Sequence, residues 1–192
     1  GYKITGLFED ITDAANAAAI AQASEITVTG KTVGGAEVPL SYEDALKVIA
    51  FKTNNAITTK VTINSLSDIA TELLGSNQDI SSSVDGVSIS GNNPAVATVD
   101  QFNRLISKYG KEKFVDNVTV TDSASETLKL TADAVAELTS ISVNSGTFTI
   151  SEAIALKGIT GAAKFPTATA KITDSSSNLI SALSDIIVFM SL

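Results

Sequence analysis

Apolar and polar residues alternate in seven short segments of this chain, and a helix-like pattern follows each one. The alternating segments are residues 2–4, 38–40, 61–63, 96–98, 128–130, 148–150 and 170–172. Such alternation predicts strands. The stretches that follow, for example 41–49 and 99–106, begin with Ser, Thr or Val and place apolar residues at helical spacing. The chain is therefore expected to repeat one strand-to-helix unit.

The C-terminal half shows this unit in its simplest form. Residues 118–120 and 128–130 alternate as two strands, and Thr131 is placed to cap a short helix before the next strand at 141–143. The strand-final positions there recur about every 20 residues, whereas earlier ones lie farther apart. The half 111–192 is thus predicted to be regular, and the half 1–110 to carry insertions.

Polar residues mark where the helices should start. Ser41 is followed by Asp44, and Ser65 by Asp68, each a Ser-x-x-Asp variant of the capping box. Asp13 and Asp174 follow strand-like segments in two similar stretches, 11–16 and 172–178. A carboxylate at such a position accepts hydrogen bonds from helix N–H groups, so capping is the expected role of most of these aspartates.

These patterns predict an α/β repeat solenoid. Short strands would stack into parallel sheets, and short helices with small residues, such as the alanines of 14–23, would pack along one face. Residues 1–192 are expected to form a single repeat-built domain, a fragment of a longer chain. The polar stretch 76–85 is the alternative position for a linker, but strand-helix units lie on both of its sides.

Composition removes several classes of function. The chain has 21 acidic and 13 basic side chains, a net charge of −8 and no His, and Cys and Trp are also absent. Nucleic acid is bound largely through Lys and Arg, so no nucleic-acid partner is expected. The apolar run 186–190 is too short to span a bilayer, so no membrane insertion is expected. Without His or Cys the common nucleophilic triads cannot form, and the chain is not expected to be an enzyme.

Calcium is the first cofactor to consider, because only oxygen ligands are present in quantity. Asp85 and Asp122 lie in predicted turns and are the first candidate calcium ligands. Neither an EF-hand loop nor a glycine-rich calcium nonapeptide occurs. The segment 30–35, which contains Gly-Lys-Thr, lacks the spacing of a phosphate-binding loop and is predicted to be a hairpin turn.

The stretches 11–16, 118–122 and 172–183 resemble repeats of very large exported bacterial surface proteins. These include S-layer proteins and RTX-type adhesins of Gram-negative bacteria, which are rich in Thr, Ala and Asp and carry many units of the form Ile-Thr-Asp-x-Ala-x-Asn. The resemblance implies secretion without a cleaved signal peptide, assembly at the cell surface and order that depends on calcium.

The predicted function is a structural one: an extracellular component of a bacterial cell-surface layer or scaffold. Its partners would be further copies of itself or neighbouring domains of the same surface protein, joined through strand edges such as the one near 186–189. The alternative is an adhesin-type module that binds glycan or host protein through the loops 31–37, 76–85 and 91–95. Tyr2, Tyr42 and Tyr109 would then be the side chains available for stacking on sugars.

Overall fold

Short strands alternate with short helices along the part of the chain that the computed structural model describes, namely residues 1–64, 66–68, 70–74, 79–89, 95–114, 118–166 and 168–182. The strands are β1 (Lys3–Gly6), β2 (Glu25–Val28), β3 (Lys31–Val33), β4 (Ala36–Val38), β5 (Val61–Ile63), β6 (Leu66–Asp68), β7 (Val87–Ile89), β8 (Ala95–Ala97), β9 (Val118–Ser123) and β10 (Leu138–Ser145). The helices are α1 (Phe8–Thr12), α2 (Ala17–Ala21), α3 (Tyr42–Asn54), α4 (Ala70–Leu74), α5 (Val99–Tyr109), α6 (Ala124–Thr127), α7 (Ala132–Glu137), α8 (Ile150–Lys164) and α9 (Ser176–Ser181).

The sheets are built mainly from parallel strands. Three strands pair in the order β1-β2-β5, three in the order β10-β9-β8, and β6 pairs with β7, all in parallel. Within each parallel pair, the second strand follows the first by roughly 20 to 35 residues in the sequence. The fold is therefore mixed α/β with parallel sheets, as the sequence predicts at this level.

One antiparallel hairpin interrupts this pattern. The strands β3 and β4 pair from Lys31 opposite Val38 to Val33 opposite Ala36, which leaves a two-residue loop. Its residues, Gly34 and Gly35, have φ angles of 59° and 86°. Positive φ at both positions gives the turn that matches the twist of paired strands, and glycine adopts it without strain. The predicted hairpin turn is confirmed.

The described chain divides into two compact units, each with its own core. One contains residues 1–91 and 108–116, and the other contains residues 92–107 and 117–192. The first unit buries side chains from its parallel strands, including Ile26, Ile63 and Leu66, each at 0% exposure. In the second unit Phe148 and Leu156, each at 0% exposure, belong to a core cluster that also contains Val143 and Phe165. The expectation of one repeat-built domain over 1–192 stays a prediction.

Several predicted elements agree with the structure. Strands lie at 3–6, 61–63 and 118–123, and helices α3, α5 and α7 follow the predicted starts. Thr131 caps α7 as expected, because its side chain accepts a hydrogen bond from the Ala134 amide at 3.2 Å. No helix among the described residues is both long and apolar enough to cross a membrane.

The predicted strand at 128–130 is wrong. The Ser123 side chain caps α6, so the chain is already helical at 124–127. The amide of Lys129 then donates to the Glu126 carbonyl at 2.9 Å, and the amide of Leu130 donates to the Thr127 carbonyl at 3.3 Å. These turn hydrogen bonds use the backbone groups that a strand would need for pairing.

We expect Phe148→Ala to destabilise the second unit strongly. Phe148 is fully buried and packs in the core cluster, so its loss leaves a cavity that costs about 3–5 kcal/mol. Ile180→Ala is the matched control, because Ile180 is 71% exposed and its truncation should stay within about 0.5 kcal/mol. Urea unfolding curves measure the free energy of unfolding of both variants, and an equal decrease in the two would contradict the assignment of Phe148 to the core.

Candidate functional site: capping aspartates and the outer edge of β1

Three aspartates, which we call the capping aspartates, each accept a hydrogen bond from the first residue of a helix earlier in the chain. The pairs are Tyr42 N with Asp68 Oδ2 (3.4 Å), Val99 N with Asp122 Oδ2 (3.1 Å) and Ile150 N with Asp174 Oδ2 (3.0 Å). Donor and acceptor are separated by 26, 23 and 24 residues, respectively. The same contact thus occurs once in the first unit and twice in the second.

Local caps complete the start of each of these helices. At α8 the Thr149 side chain accepts from the Glu152 amide at 3.2 Å, and the Glu152 carboxylate accepts from the Thr149 amide at 2.8 Å. Thr98 and Gln101 form the same reciprocal pair at α5. A capping box satisfies the third helical amide and the amide of the N-cap residue. The first helical amide still needs an acceptor, which the capping aspartate supplies from a distant segment.

The second oxygen of two capping aspartates holds the next residue in place. Asp122 Oδ1 accepts from the Ser123 amide at 2.8 Å, and Asp174 Oδ1 accepts from the Ser175 amide at 2.7 Å. Both serines are themselves the N-caps of short helices. Hydrogen bonds to Asp174 from the Asn178 side chain and from the Ile150 and Ser175 amides lower the pKa of its carboxyl, because they favour the charged form.

Asp68 therefore has a role that differs from the predicted one. The sequence suggests that it closes a capping box with Ser65, which lies outside the described residues, but Asp68 ends strand β6 and accepts from Tyr42. Asp13 also differs from Asp174 despite the similar surrounding sequence. It caps the short 3₁₀ turn Ala14–Asn16 by accepting from the Ala15 amide at 2.9 Å.

The two candidate calcium ligands lie in different units. Asp85 is exposed in a turn of the first unit, and its amide donates to the Ile63 carbonyl at 2.8 Å. Asp122 is half-buried in the second unit, where both of its carboxylate oxygens accept backbone amides. Within the described ranges no group of three or more acidic side chains is arranged to hold a metal. Calcium binding by either residue stays a prediction.

A buried ion pair anchors the hairpin. Asp44, at 7% exposure, accepts hydrogen bonds from the Lys31 ammonium and from the Ser41 hydroxyl at 2.8 Å. Burial raises the pKa of the Asp44 carboxyl, but the hydrogen bonds from Lys31 and Ser41 outweigh it, so the net shift is downward. The loop 31–37, proposed above as a binding loop, is thus a hairpin fixed to the start of α3.

The tyrosines are placed differently from the expectation for a sugar-binding surface. Tyr42 and Tyr109 are buried, at 7% and 3% exposure, and the ammonium of Lys108 lies 5.9 and 5.6 Å from their ring centroids. The prediction that these two rings stack on sugars is wrong, since their faces are covered by protein. Tyr2, at 48% exposure, remains at the surface.

Among the described strands, β1 lies at one end of its sheet. It pairs with β2 on one side, from Lys3 opposite Glu25 to Gly6 opposite Val28, and β2 pairs with β5 in turn. The carbonyls of Tyr2 and Gly6 accept from Ser24 and Thr29, so the even-numbered residues point their backbone groups towards β2. Because these directions alternate along a strand, the N–H and C=O groups of Lys3 and Thr5 point outward. This outward side is called the outer edge of β1 below.

Comparisons of the chain with protein-family models, curated proteins and solved structures found no match in any of the three.

We expect Asp122→Ala to lower the free energy of unfolding by about 1–2 kcal/mol, because it removes the acceptor of two backbone amides. Asp122→Asn keeps one amide oxygen as acceptor and should cost less. Asp85→Ala is the matched control, with an expected change within about 0.5 kcal/mol. Chemical denaturation measures all three, and equal effects of the changes at 85 and 122 would refute a special role for the cap.

We expect Tyr109→Phe to leave the protein equally stable at neutral pH and more stable than wild type in alkali. Across the described residues the Tyr109 hydroxyl is buried without a hydrogen-bond partner, so its removal costs little. Burial, with smaller contributions from Tyr42 and Asp79, raises the pKa of Tyr109 from 10.0 to about 12.

The sign of the pH dependence follows from linkage. Below pH 10 the phenol is neutral in both states, and its contribution to stability is complete. Between pH 10 and 12 the unfolded state releases the proton first, so stability falls as pH rises. Thermal melts from pH 8 to 12 should show a smaller decline for Tyr109→Phe than for wild type, and parallel declines would contradict the burial of this group.

Proposed function

We propose that this chain is part of a self-assembling structural scaffold of the kind that forms bacterial cell-surface layers, built as an α/β solenoid of stacked parallel strands with helices along one face. The observation that carries the proposal is the recurrence of the capping-aspartate contact in both units, always between segments that follow one another in the stack. A fold that grows by repeating one contact presents an extended surface, and such surfaces serve as scaffolds and interaction platforms.

The parallel strands supply a means of assembly. A sheet whose strands run parallel ends in an edge that offers N–H and C=O groups to a further strand. The outer edge of β1 is of this kind, and the parallel pairing of β1 with β2 and of β2 with β5 supports the addition of a further strand there. Contacts of this type between copies, or with neighbouring domains of the same surface protein, would extend the stack beyond one chain.

Location at the cell surface and a role for calcium belong to the same proposal. They are supported by the absence of Cys, the abundance of Ser, Thr and Asp, and the resemblance of 118–122 and 172–183 to repeats of exported surface proteins. Calcium would act by ordering the turn that carries Asp85 or the end of β9 that carries Asp122, and its binding energy would then add to the stability of the folded state.

The test is assembly of the 192-residue chain over a range of concentrations, with calcium or with a chelator. We expect filaments or ordered sheets by electron microscopy as the concentration rises, and a higher melting temperature with calcium than with magnesium. A chain that stays monomeric by light scattering under all conditions would overturn the scaffold. A monomeric chain that binds defined sugars on a glycan array would favour the adhesin alternative.

Two variants locate the calcium effect. If Asp122 is a ligand, Asp122→Asn abolishes the calcium-dependent rise in melting temperature, whereas Asp85→Asn leaves it intact; the converse result assigns the site to Asp85. An unchanged melting curve on adding calcium to the wild-type protein would remove calcium from the proposal and leave the assembly experiment to decide the rest.

A further inference from the structure

Helix α8 turns a largely apolar side to the solvent. Its inner side packs on α7 and β10 and buries Ala153, Leu156 and Thr160. The opposite side, which we call the outer face of α8, consists of five exposed residues: Ser151, Ile154, Ala155, Gly158 and Ile159. The two isoleucines are 44% and 42% exposed. Because a surface helix ordinarily carries polar residues opposite its buried side, this face has the composition of a contact surface.

The outer face of α8 contains no charged residue. The carboxylate of Glu152 accepts hydrogen bonds from the amide and the hydroxyl of Thr149 at the start of the helix. The two lysines of the helix, Lys157 and Lys164, are half-buried, and the Lys164 ammonium donates to the Val135 carbonyl at 2.6 Å. A partner that docks on the outer face therefore removes no charge of the face itself from water, which keeps the cost of desolvation low.

Charge also bears on which partner can approach. The chain carries a net charge of −8, so two copies repel one another where their acidic surfaces meet. The segment 153–173, which includes most of α8, contains three lysines and neither Asp nor Glu. Its charge is thus opposite to the net charge of a second copy, and complementary charge favours the encounter of two such surfaces.

The outer face of α8 is also symmetric. About the midpoint between positions 156 and 157, Ile154 corresponds to Ile159 and Ala155 corresponds to Gly158. In two antiparallel copies of α8 related by a two-fold axis, Ala155 of each copy therefore lies level with Gly158 of the other. The small residues at the centre allow the two backbones to approach, and the isoleucines flank them. A two-fold contact requires a patch that is complementary to itself, and this face has that property.

We propose that two copies of this chain associate through the outer faces of their α8 helices, as an antiparallel pair about a two-fold axis. This inference rests on the proposed function, since it names a second surface through which the scaffold assembles. Strand edges would extend a stack along its axis, and the α8 contact would join neighbouring stacks side by side. One helix face is smaller than the roughly 800 Å² per partner of a standard interface, so a single contact is weak and a layer depends on many of them.

The first experiment places a charge at the centre of the outer face. A methyl group added at Gly158 would meet no atom within 4 Å outside its own helix backbone, so Gly158→Lys should not disturb the fold. We expect its melting temperature to equal or exceed that of the wild type, because Lys is a better helix former than Gly. The dissociation constant for self-association should rise at least about tenfold, since the lysine would lose its water in the contact.

Sedimentation velocity over a wide range of protein concentrations measures this change in full-length variants. Ile180→Lys is the matched control, because Ile180 is 71% exposed on α9 and lies outside the proposed contact. This control should associate as the wild type does. Equal self-association of Gly158→Lys and the wild type would overturn the inference.

The second experiment tests the antiparallel arrangement. The chain has no Cys, so a single introduced cysteine reports on one position. Residues 158 of the two copies would lie close to the axis, and Gly158→Cys should form disulfide-linked dimers under mild oxidation. Residues 151 would lie about 16 Å apart along the helices, so Ser151→Cys should remain unlinked. Efficient linkage of both variants would indicate parallel helices, and linkage of neither would exclude the contact; either result overturns the inference.

The outcomes separate this inference from the proposed function. If the wild type forms filaments or sheets and Gly158→Lys forms them equally well, the α8 contact is overturned and the scaffold stands. If the wild type forms only dimers, and Gly158→Lys abolishes them, the α8 contact stands and the scaffold is overturned. A monomeric wild type that binds vesicles of anionic lipid, and loses this binding in Gly158→Lys, would make lipid the occupant and overturn the contact between copies.

Discussion

The first amide of each long helix among the described residues needs an acceptor, and in this chain that need connects each helix to a segment 23 to 26 residues further along the sequence. A local N-cap serves the amide two or three residues further on, so it cannot serve the first one. At α3 and α5 the acceptor is a carboxylate at the end of a later parallel strand, and at α8 it is the carboxylate two residues after the bridge at Ile172. A slip of one residue would move that carboxylate about 3.3 Å along the strand and break the bond. Helix start and strand register are thus fixed together.

Two kinds of residue, buried apolar ones and half-buried aspartates, precede the helices that take part in these contacts. The residues immediately before the N-caps of α3, α5 and α8 are apolar and buried: Leu40, Ala97 and Phe148. The capping residues Asp68, Asp122 and Asp174 occupy the same place in the segments that follow and are half-buried. The contact recurs 51 to 57 residues apart, whereas the strand-like triplets end 20 to 36 residues apart. The apolar members supply core packing, and the acidic members supply the connection.

The sequence predicts what depends on near neighbours. Thr131 and Ser41 cap helices that begin within three residues of them, so their roles can be recognised locally. Asp68 is misjudged because its partner lies 26 residues away and depends on strand register. A three-residue alternation such as 128–130 does not distinguish a strand from the turn that ends a short helix. The repeated Thr-Asp-Ser-x-Ser at 121–125 and 173–177 is the signal that could have identified two of the capping aspartates, Asp122 and Asp174.

The stability of the fold and the specificity of its strand register come from different contacts. The pair of Lys3 and Glu25 is largely exposed, so it adds little to the free energy of folding. The pair acts instead by disfavouring other strand registers. A shift of β1 along β2 by one residue would expose Ile26 and Ile4 and would separate the two charges. The buried side chains would tolerate several strand registers of similar apolar content. The pair of Lys3 and Glu25 and the capping aspartates favour only one of these registers. Parallel strands that are separated by long stretches of sequence depend on that selectivity, since each pair must find its register across 20 or more intervening positions.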